Sequence, residues 1–438
     1  MWTEFAVASI LLLKLQEVRG TEKENAIQNI QVIHLIDITT FIVKTKYKIT
    51  FKNVGYHPTD KYVFELVDSP AFTTFTGAKN ETLPYDKSST QNSTVYIVSL
   101  RQELLPEEEY TIKIKLIFPS KLVPSTKFSR CYDEHSFLWR GNSVFYSKYF
   151  TKSFRFLFVT DPVFNRNIQT SIMYDSSVKN MLIYYAKNVT PFQYKEILLT
   201  FTSPIPVFRV KKLFRSIYVS QFGKIQLEDQ VIVENAGPQL LGPYCNTQSD
   251  YWMYTHLPKT AENIKFFDVL GNNSKTLVYE DERHKTLKFI PRYSLRQGGW
   301  KSTYILQYNV PTYEYVFRNE MEYLLKIRAI DHILNDVMVE DAEIKIVLPD
   351  GGTISSVMVP PRFEKYNDTI FHTSLSILGR CTVNLRGKIL LEENINDIII
   401  KYQYSQFNFL VAPFFLMFLV ESVFFSIILW RKYSENIF

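Results

Sequence analysis

Seven histidines (His34, His57, His135, His256, His284, His332 and His372) could bind a metal or move a proton near neutral pH, and they stand singly along the chain. No His-Glu-x-x-His, Gly-x-Ser-x-Gly, phosphate-loop or Cys-x-x-Cys motif accompanies them. Carboxylates cluster at Glu107-Glu108-Glu109 and Glu280-Asp281-Glu282. Glycoside hydrolysis needs two carboxyl groups facing each other across a cleft. Neighbours on a strand or turn point apart, so both runs read as solvated loops. Cys131, Cys245 and Cys381 are too widely spaced for a zinc knuckle and form at most one intramolecular bridge. No catalytic residue, metal or cofactor is expected. The chemistry that does recur is Asn-x-Ser/Thr, the acceptor motif of N-glycosylation, at Asn80, Asn92, Asn188, Asn272 and Asn367. Asn188 is followed by Val-Thr-Pro, and that proline hinders its use.

These acceptors need a compartment outside the cytosol, and the two ends of the chain supply one. Phe409–Trp430 is apolar except for Glu421. As a helix it extends about 33 Å, enough for a hydrocarbon core of roughly 30 Å. Arg431 and Lys432 follow at once, which puts the tail 431–438 in the cytosol and everything upstream on the far side. Residues 1–20 carry a short apolar run, Phe5–Leu13, and end in the Val18-x-Gly20 pattern of a cleaved signal peptide. The expectation is a single-pass type I membrane protein: signal 1–20, lumenal domains 21–208 and 209–408, helix 409–430, tail 431–438. Charges cancel within the signal and within the anchor, so the net +6 belongs to the lumenal part. That is too dilute for nucleic acid, and no nucleic-acid partner is expected.

Aromatic residues make up 15% of the chain against only 14 glycines, a balance that favours strands. In Val43–Lys52, Val43, Thr45, Tyr47, Ile49 and Phe51 alternate with lysines and Thr50, which predicts a strand with one buried face. The lysine row reads as the wet side of an edge strand rather than a binding stripe. Thr111–Phe118 and the Phe154, Phe156, Phe158 row repeat the pattern, with Lys79–Thr94 as a polar loop between them. The 44–200 region therefore reads as antiparallel strands stacked in a sandwich. Ser203-Pro-Ile-Pro206 and the basic Arg209–Arg215 read as a solvated boundary. Beyond it, Ile225, Leu227, Val231 and Val233 alternate with polar residues, and Tyr323–Ala329, Ala342–Leu348 and Asp397–Tyr404 read as further strands. The fold class expected is mainly β: two lumenal β-sandwich-like domains followed by one transmembrane helix, with no internal repeat.

Longer motifs carry more specific information. Pro291-Arg292-Tyr293, Gly298-Gly299-Trp300, Tyr308–Val316 (YNVPTYEYV), Asp331-His332 and Leu348-Pro349-Asp350-Gly351 together resemble the ribophorin I family. Tyr218–Ile225, Asn235-Ala236-Gly237, Leu241-Gly242-Pro243, Glu134–Asn142 (EHSFLWRGN) and Phe145-Tyr146-Ser147 extend the resemblance over most of the chain upstream of the span. Phe222, Ser294 and the eight-residue tail depart from the family pattern, and the short tail puts in doubt any ribosome contact attributed to the longer relatives' cytosolic extension. The resemblance implies a non-catalytic subunit of the oligosaccharyltransferase complex in the endoplasmic reticulum membrane. That complex moves a preassembled glycan from dolichyl diphosphate to Asn-x-Ser/Thr of nascent chains. The partners implied are a catalytic multi-spanning subunit, small membrane subunits, the translocon and nascent chains. A type I adhesion or cargo receptor and a membrane-anchored lumenal hydrolase are the competing readings.

Two residues are candidates for partner contact. The aromatics Trp300, Tyr304, Tyr308, Tyr313, Tyr315 and Phe317 mostly suit a core between sheets. Trp300, after two glycines, is the candidate exposed anchor for a lumenal interface. Glu421 lies near the middle of the span, where a lone acid facing lipid is costly, and is the candidate intramembrane subunit contact. Bonding to Ser422 or Ser426 is the alternative.

Overall fold

The computed structural model describes residues 27–435 apart from 90–92, 131–132, 134, 161–168, 172, 179–180, 204–205, 221, 243–250, 294, 320–321 and 373–377. The signal segment, Asn92, Cys131 and Cys245 fall outside the described residues. Two compact units form, Met1–Ile205 with Gly237–Pro243, and Pro206–Ala236 with Tyr244–Phe438.

The larger sheet of the first unit runs, edge to edge, Ser176–Val178, Met181–Val189, Thr151–Val159, Ile27–Asp37, Val43–Asn53, Glu109–Phe118 and Phe72–Thr76. Its inner face carries Phe51, Phe75, Phe154, Phe156 and Phe158, all fully buried, because alternate residues of a strand share a face. Packed with it are a four-stranded sheet (Gln169–Thr170, Glu196–Ser203, His135–Asn142, Leu122–Pro124) and a three-stranded one (Thr59–Leu66, Thr94–Leu104, Tyr85–Ser89).

Several expectations are corrected here. Val43–Asn53 is not an edge strand but lies between Ile27–Asp37 and Glu109–Phe118, so its lysines stand on the outer face of the sheet. Ile27–Asp37 and Thr151–Val159 pair in parallel, so the unit is not purely antiparallel. A bulge between Asn29 and Gln31 shifts the phase of Ile27–Asp37, which hides its alternation. The polar loop Lys79–Thr94 contains the strand Tyr85–Ser89, exposed along its length and therefore without an apolar period.

The second unit is built on a sheet of Gly271–Asn272, Glu262–Asp268, Lys301–Pro311, Lys224–Asn235, Phe208–Val219, Val339–Val347, Arg380–Leu390 and Phe363–Phe371. A four-stranded sheet (Val316–Asn319, Glu322–Arg328, Asp397–Gln403, Thr353–Met358) and a three-stranded one (Met253–Pro258, His284–Phe289, Thr276–Glu280) share one apolar core with it. The basic stretch Arg209–Arg215 is not a linker. It lies in Phe208–Val219, a central strand flanked by Lys224–Asn235 and, in parallel, by Val339–Val347.

The two units repeat each other strand for strand. Read from opposite edges, the large sheets have the same order, with Gly271–Asn272 as the one addition in the second unit. The one parallel pairing within each large sheet falls at the same place, as do the pairings of the four- and three-stranded sheets, while the short parallel pair Phe128–Ser129 with Gln239–Leu240 belongs to the first unit alone. Even the bulge recurs, between Asn29 and Gln31 in the first unit and between Val210 and Lys212 in the second. No repeat is visible in the sequence because the topology asks only for apolar residues on alternate positions, which many unrelated side chains satisfy.

The C-terminal helix is Asn408–Glu435, of which Asn408–Tyr433 is long and apolar enough to cross a membrane. Pro413 falls in its second turn, so the carbonyl of Phe409 loses its usual donor. The helix is seated on the second unit. The Asn408 side-chain amide donates to the Gly351 carbonyl at 3.3 Å, and the Phe409 ring meets Phe222 at 5.3 Å between centroids. Gly351 has φ +71°, and a Cβ there would lie 2.5 Å from the Asn408 amide, so only glycine fits.

Candidate functional site

Strand alternation in the second unit carries charges as well as apolar residues into the core. On Phe208–Val219 the inward row is Leu213, Arg215, Ile217 and Val219, and on Lys224–Asn235 it includes Leu227, Asp229 and Val231. Arg215 and Asp229 are cross-strand partners, and both are buried. Arg215 Nη1 donates to the two Asp229 carboxylate oxygens at 3.0 and 2.8 Å, and Nη2 donates to Asp331 Oδ2. The Tyr308 hydroxyl, from the neighbouring strand, donates to the same Asp331 oxygen. One cation thus serves two acids. Burial pushes the Asp229 carboxyl up to about 6, against the pull of Arg215. Burial acts the same way on Asp331, but Arg215 and the Tyr308 hydroxyl hold it below the ordinary carboxylate range. The network pins the loop at Asp331 to the large sheet.

Asp331 lines a groove of about 740 Å³ in this unit. Three histidines that are far apart in sequence meet on its wall. The His256 ring lies 4.4 Å from both His284 and His332, centroid to centroid. The His256 backbone N–H donates to His332 Nδ1 at 3.3 Å, so His332 carries its proton on Nε2, which faces Glu392 Oε1 at 3.1 Å. Burial, then the neighbouring His332 and His284, lowers the His256 pKa. Among the described residues no three His, Cys, Asp or Glu groups are arranged to hold a metal ion. Lys259 and Arg283 also line the groove.

The residues singled out from sequence lie elsewhere. Asn80, Asn188, Asn272 and Asn367 are all exposed. Asn80 and Asn188 adopt φ of 62° and 53°. Asn367 falls not in a turn but at a bulge of the outer strand Phe363–Phe371. Trp300 is half-buried just before Lys301–Pro311, and its main chain bonds Gln297 and Asn235. In the same aromatic stretch Tyr304 and Tyr308 are buried, while Tyr313 is 77% exposed and Phe317 52%. The most open ring is therefore Tyr313. Glu421 is exposed on the helix. Ser422 and Ser426 donate to the backbone carbonyls of Leu419 and Ser422, not to Glu421. Of the groove and network, the sequence motifs had marked Tyr308, Asp331 and His332 but not Arg215 or Asp229. The overlooked signal was an acid at the position between Leu227 and Val231, in an otherwise apolar row.

Comparison with known proteins adds a name to this architecture. The ribophorin I family model matches residues 27–431. Dolichyl-diphosphooligosaccharide–protein glycosyltransferase subunit 1 of Caenorhabditis elegans is 25% identical over 98% of this chain and 76% of its own length. Subunit 1B of the same enzyme from Arabidopsis thaliana is 23% identical over 95% of each chain. Among solved structures, native yeast LTA4 hydrolase overlaps 43% of this chain and 31% of its own at 6% identity, with a TM-score of 0.27, too low to carry an argument. A family match that spans both repeated units and reaches the helix leaves one conclusion: the chain belongs to the ribophorin I family.

Proposed function

We propose that this chain is a non-catalytic subunit of the oligosaccharyltransferase complex of the endoplasmic reticulum. In that role it supports transfer of a preassembled glycan from dolichyl diphosphate to Asn-x-Ser/Thr of nascent polypeptides. The observation that carries the reading is the relationship, over nearly the whole of this chain, to proteins named as subunit 1 of that glycosyltransferase. The single apolar helix after two β units supports a type I anchor with both units in the lumen. The catalytic subunit is a separate multi-spanning chain. Glu421 is the contact offered to partner helices within the bilayer, and Trp300 the contact offered on the lumenal side.

Blue-native electrophoresis of solubilised membranes in mild detergent tests this. The chain is expected in a large complex that also carries dolichol-dependent transferase activity. Migration as a free monomer or homodimer overturns the reading and returns the adhesion or cargo receptor.

A further inference from the structure

The end of the second unit from which the helix leaves is built by several strand connections. They are the turn between Val219 and Lys224, the short helical turn Thr312–Glu314, the turn 349–351 and the link 404–407. Contacts hold them together. The Thr312 N–H donates to the Gly223 carbonyl at 3.0 Å, and the Gly351 N–H donates to the Gly379 carbonyl at 2.9 Å. The Asn408 amide reaches the Gly351 carbonyl, and the Phe222 ring meets Phe409 on the helix. A Cβ on Gly351 would lie 2.8 Å from Leu378 Cδ1, so Leu378 sits beside the same turn. What these connections expose is apolar. Phe222 is 70% exposed and Phe407 80%, and Leu378 and Tyr313 are exposed with them. Large apolar side chains gathered in this way mark a contact surface.

The helix identifies what covers that surface. Asn408–Tyr433 is apolar enough to cross a membrane, and its most apolar stretch is not buried against the protein, so the helix stands clear of the unit beyond its first turn. Its 26 residues rise about 39 Å. That exceeds a hydrocarbon core of roughly 30 Å and falls just short of the roughly 40–45 Å that includes both headgroup layers. With the span centred, Asn408 and Phe409 lie in one headgroup layer, and the turns that touch them lie there too. Aromatic rings are favoured at this level because it offers both apolar and hydrated surroundings. The basic groups nearby are engaged: Lys224 pairs with Glu262, Arg380 donates to the Val219 and Leu348 carbonyls, and Arg318 lies over the Tyr323 ring. The face is therefore aromatic in character rather than a basic patch for anionic headgroups. Glu314, bonded to Thr260, and Asp350 also stand at this end, and a hydrated layer accommodates both.

We infer that this end of the second unit docks on the surface of the bilayer that its own helix crosses. Phe222, Leu378 and Phe407 enter the headgroup layer, with Tyr313 at the rim. The partner is the lipid surface itself, and zwitterionic lipid is sufficient. A helix alone is one point of attachment and leaves the unit free to tilt. Apolar side chains set around its first turn oppose that tilt. The inference rests on the span and not on membership of the complex.

Photocrosslinking of the full-length protein tests the inference. A diazirine-bearing phenylalanine is placed at position 222, 407 or 269, one at a time. Val269 is the control: it is exposed and apolar, but it follows Glu262–Asp268 at the end of that strand remote from the Glu262–Asn309 pairing. The protein is illuminated in the native membrane and, separately, in phosphatidylcholine vesicles, and adducts are identified by mass spectrometry. Phospholipid adducts are expected at 222 and 407 in both settings, at least fivefold above the yield at 269. Adding phosphatidylserine to the vesicles should leave those yields unchanged. Adducts at 222 and 407 with protein alone in the native membrane mean that another chain covers the face, and overturn the proposal. So do adducts with water alone, a lipid yield at 269 equal to theirs, or a yield that climbs several-fold with phosphatidylserine.

Discussion

Arg215 shows how one side chain can be misread when its strand is misread. As part of a basic run after two prolines it has the look of a solvated linker. In the fold it is fully buried between two acids. Removing it leaves Asp229 without its buried cation and Asp331 with only Tyr308 and the more exposed Arg328, so Arg215→Met should destabilise the second unit by about 3–5 kcal/mol in urea titrations at neutral pH. The acids themselves have opposite pH signatures. Asp229 is raised from the ordinary 3.8 to about 6, so between those values the folded chain keeps a proton that the unfolded chain has lost. Its contribution is greatest below that window and declines as pH rises through it. Asp331, held low, contributes above the ordinary carboxylate range and loses that contribution as pH falls. Asp229→Asn should therefore remove a fall in stability between about pH 4 and 6, visible as a flatter melting temperature against pH. A slope identical to that of the parent would count against the raised value. The buried Tyr308 and Asp331 were legible as motif residues. The bond from Arg215 to Asp331 was not, because it joins residues more than 100 positions apart.

At the scale of elements, long regular stretches were the most legible. Glu322–Arg328, Val339–Val347 and Asp397–Gln403 match the strands expected from apolar alternation, and the helix encloses the expected 409–430. Ile27–Asp37 was missed because its bulge interrupts the alternation, and Tyr85–Ser89 because neither face is buried. The helix also poses a test of its own. Ser422 and Ser426 turn their hydroxyls to the backbone carbonyls of Leu419 and Ser422, and Glu421 is exposed on the helix, in keeping with the contact proposed for it. Glu421→Leu is expected to raise the helix's affinity for lipid while weakening its hold on the complex. Co-purification with the transferase under mild detergent measures this, and an undiminished yield would place the contact elsewhere.

At the scale of the whole molecule, the chain is two copies of one topology followed by a helix. The four described acceptor asparagines divide between the units and are all exposed. If both units lie in the lumen, glycosidase digestion followed by mass spectrometry should find Asn80, Asn272 and Asn367 occupied and Asn188, with its nearby proline, largely bare. Occupancy confined to one unit would break the topology. Composition, alternation and the apolar run were enough to determine a β-rich protein with a late helix, because each depends on residues close in sequence. The long motifs likewise determined the family. The repeat, the buried Arg215 network and the three-histidine wall were decided only by tertiary structure. Each depends on which strands become neighbours, and that pairing is set by contacts between distant segments that local periodicity does not encode.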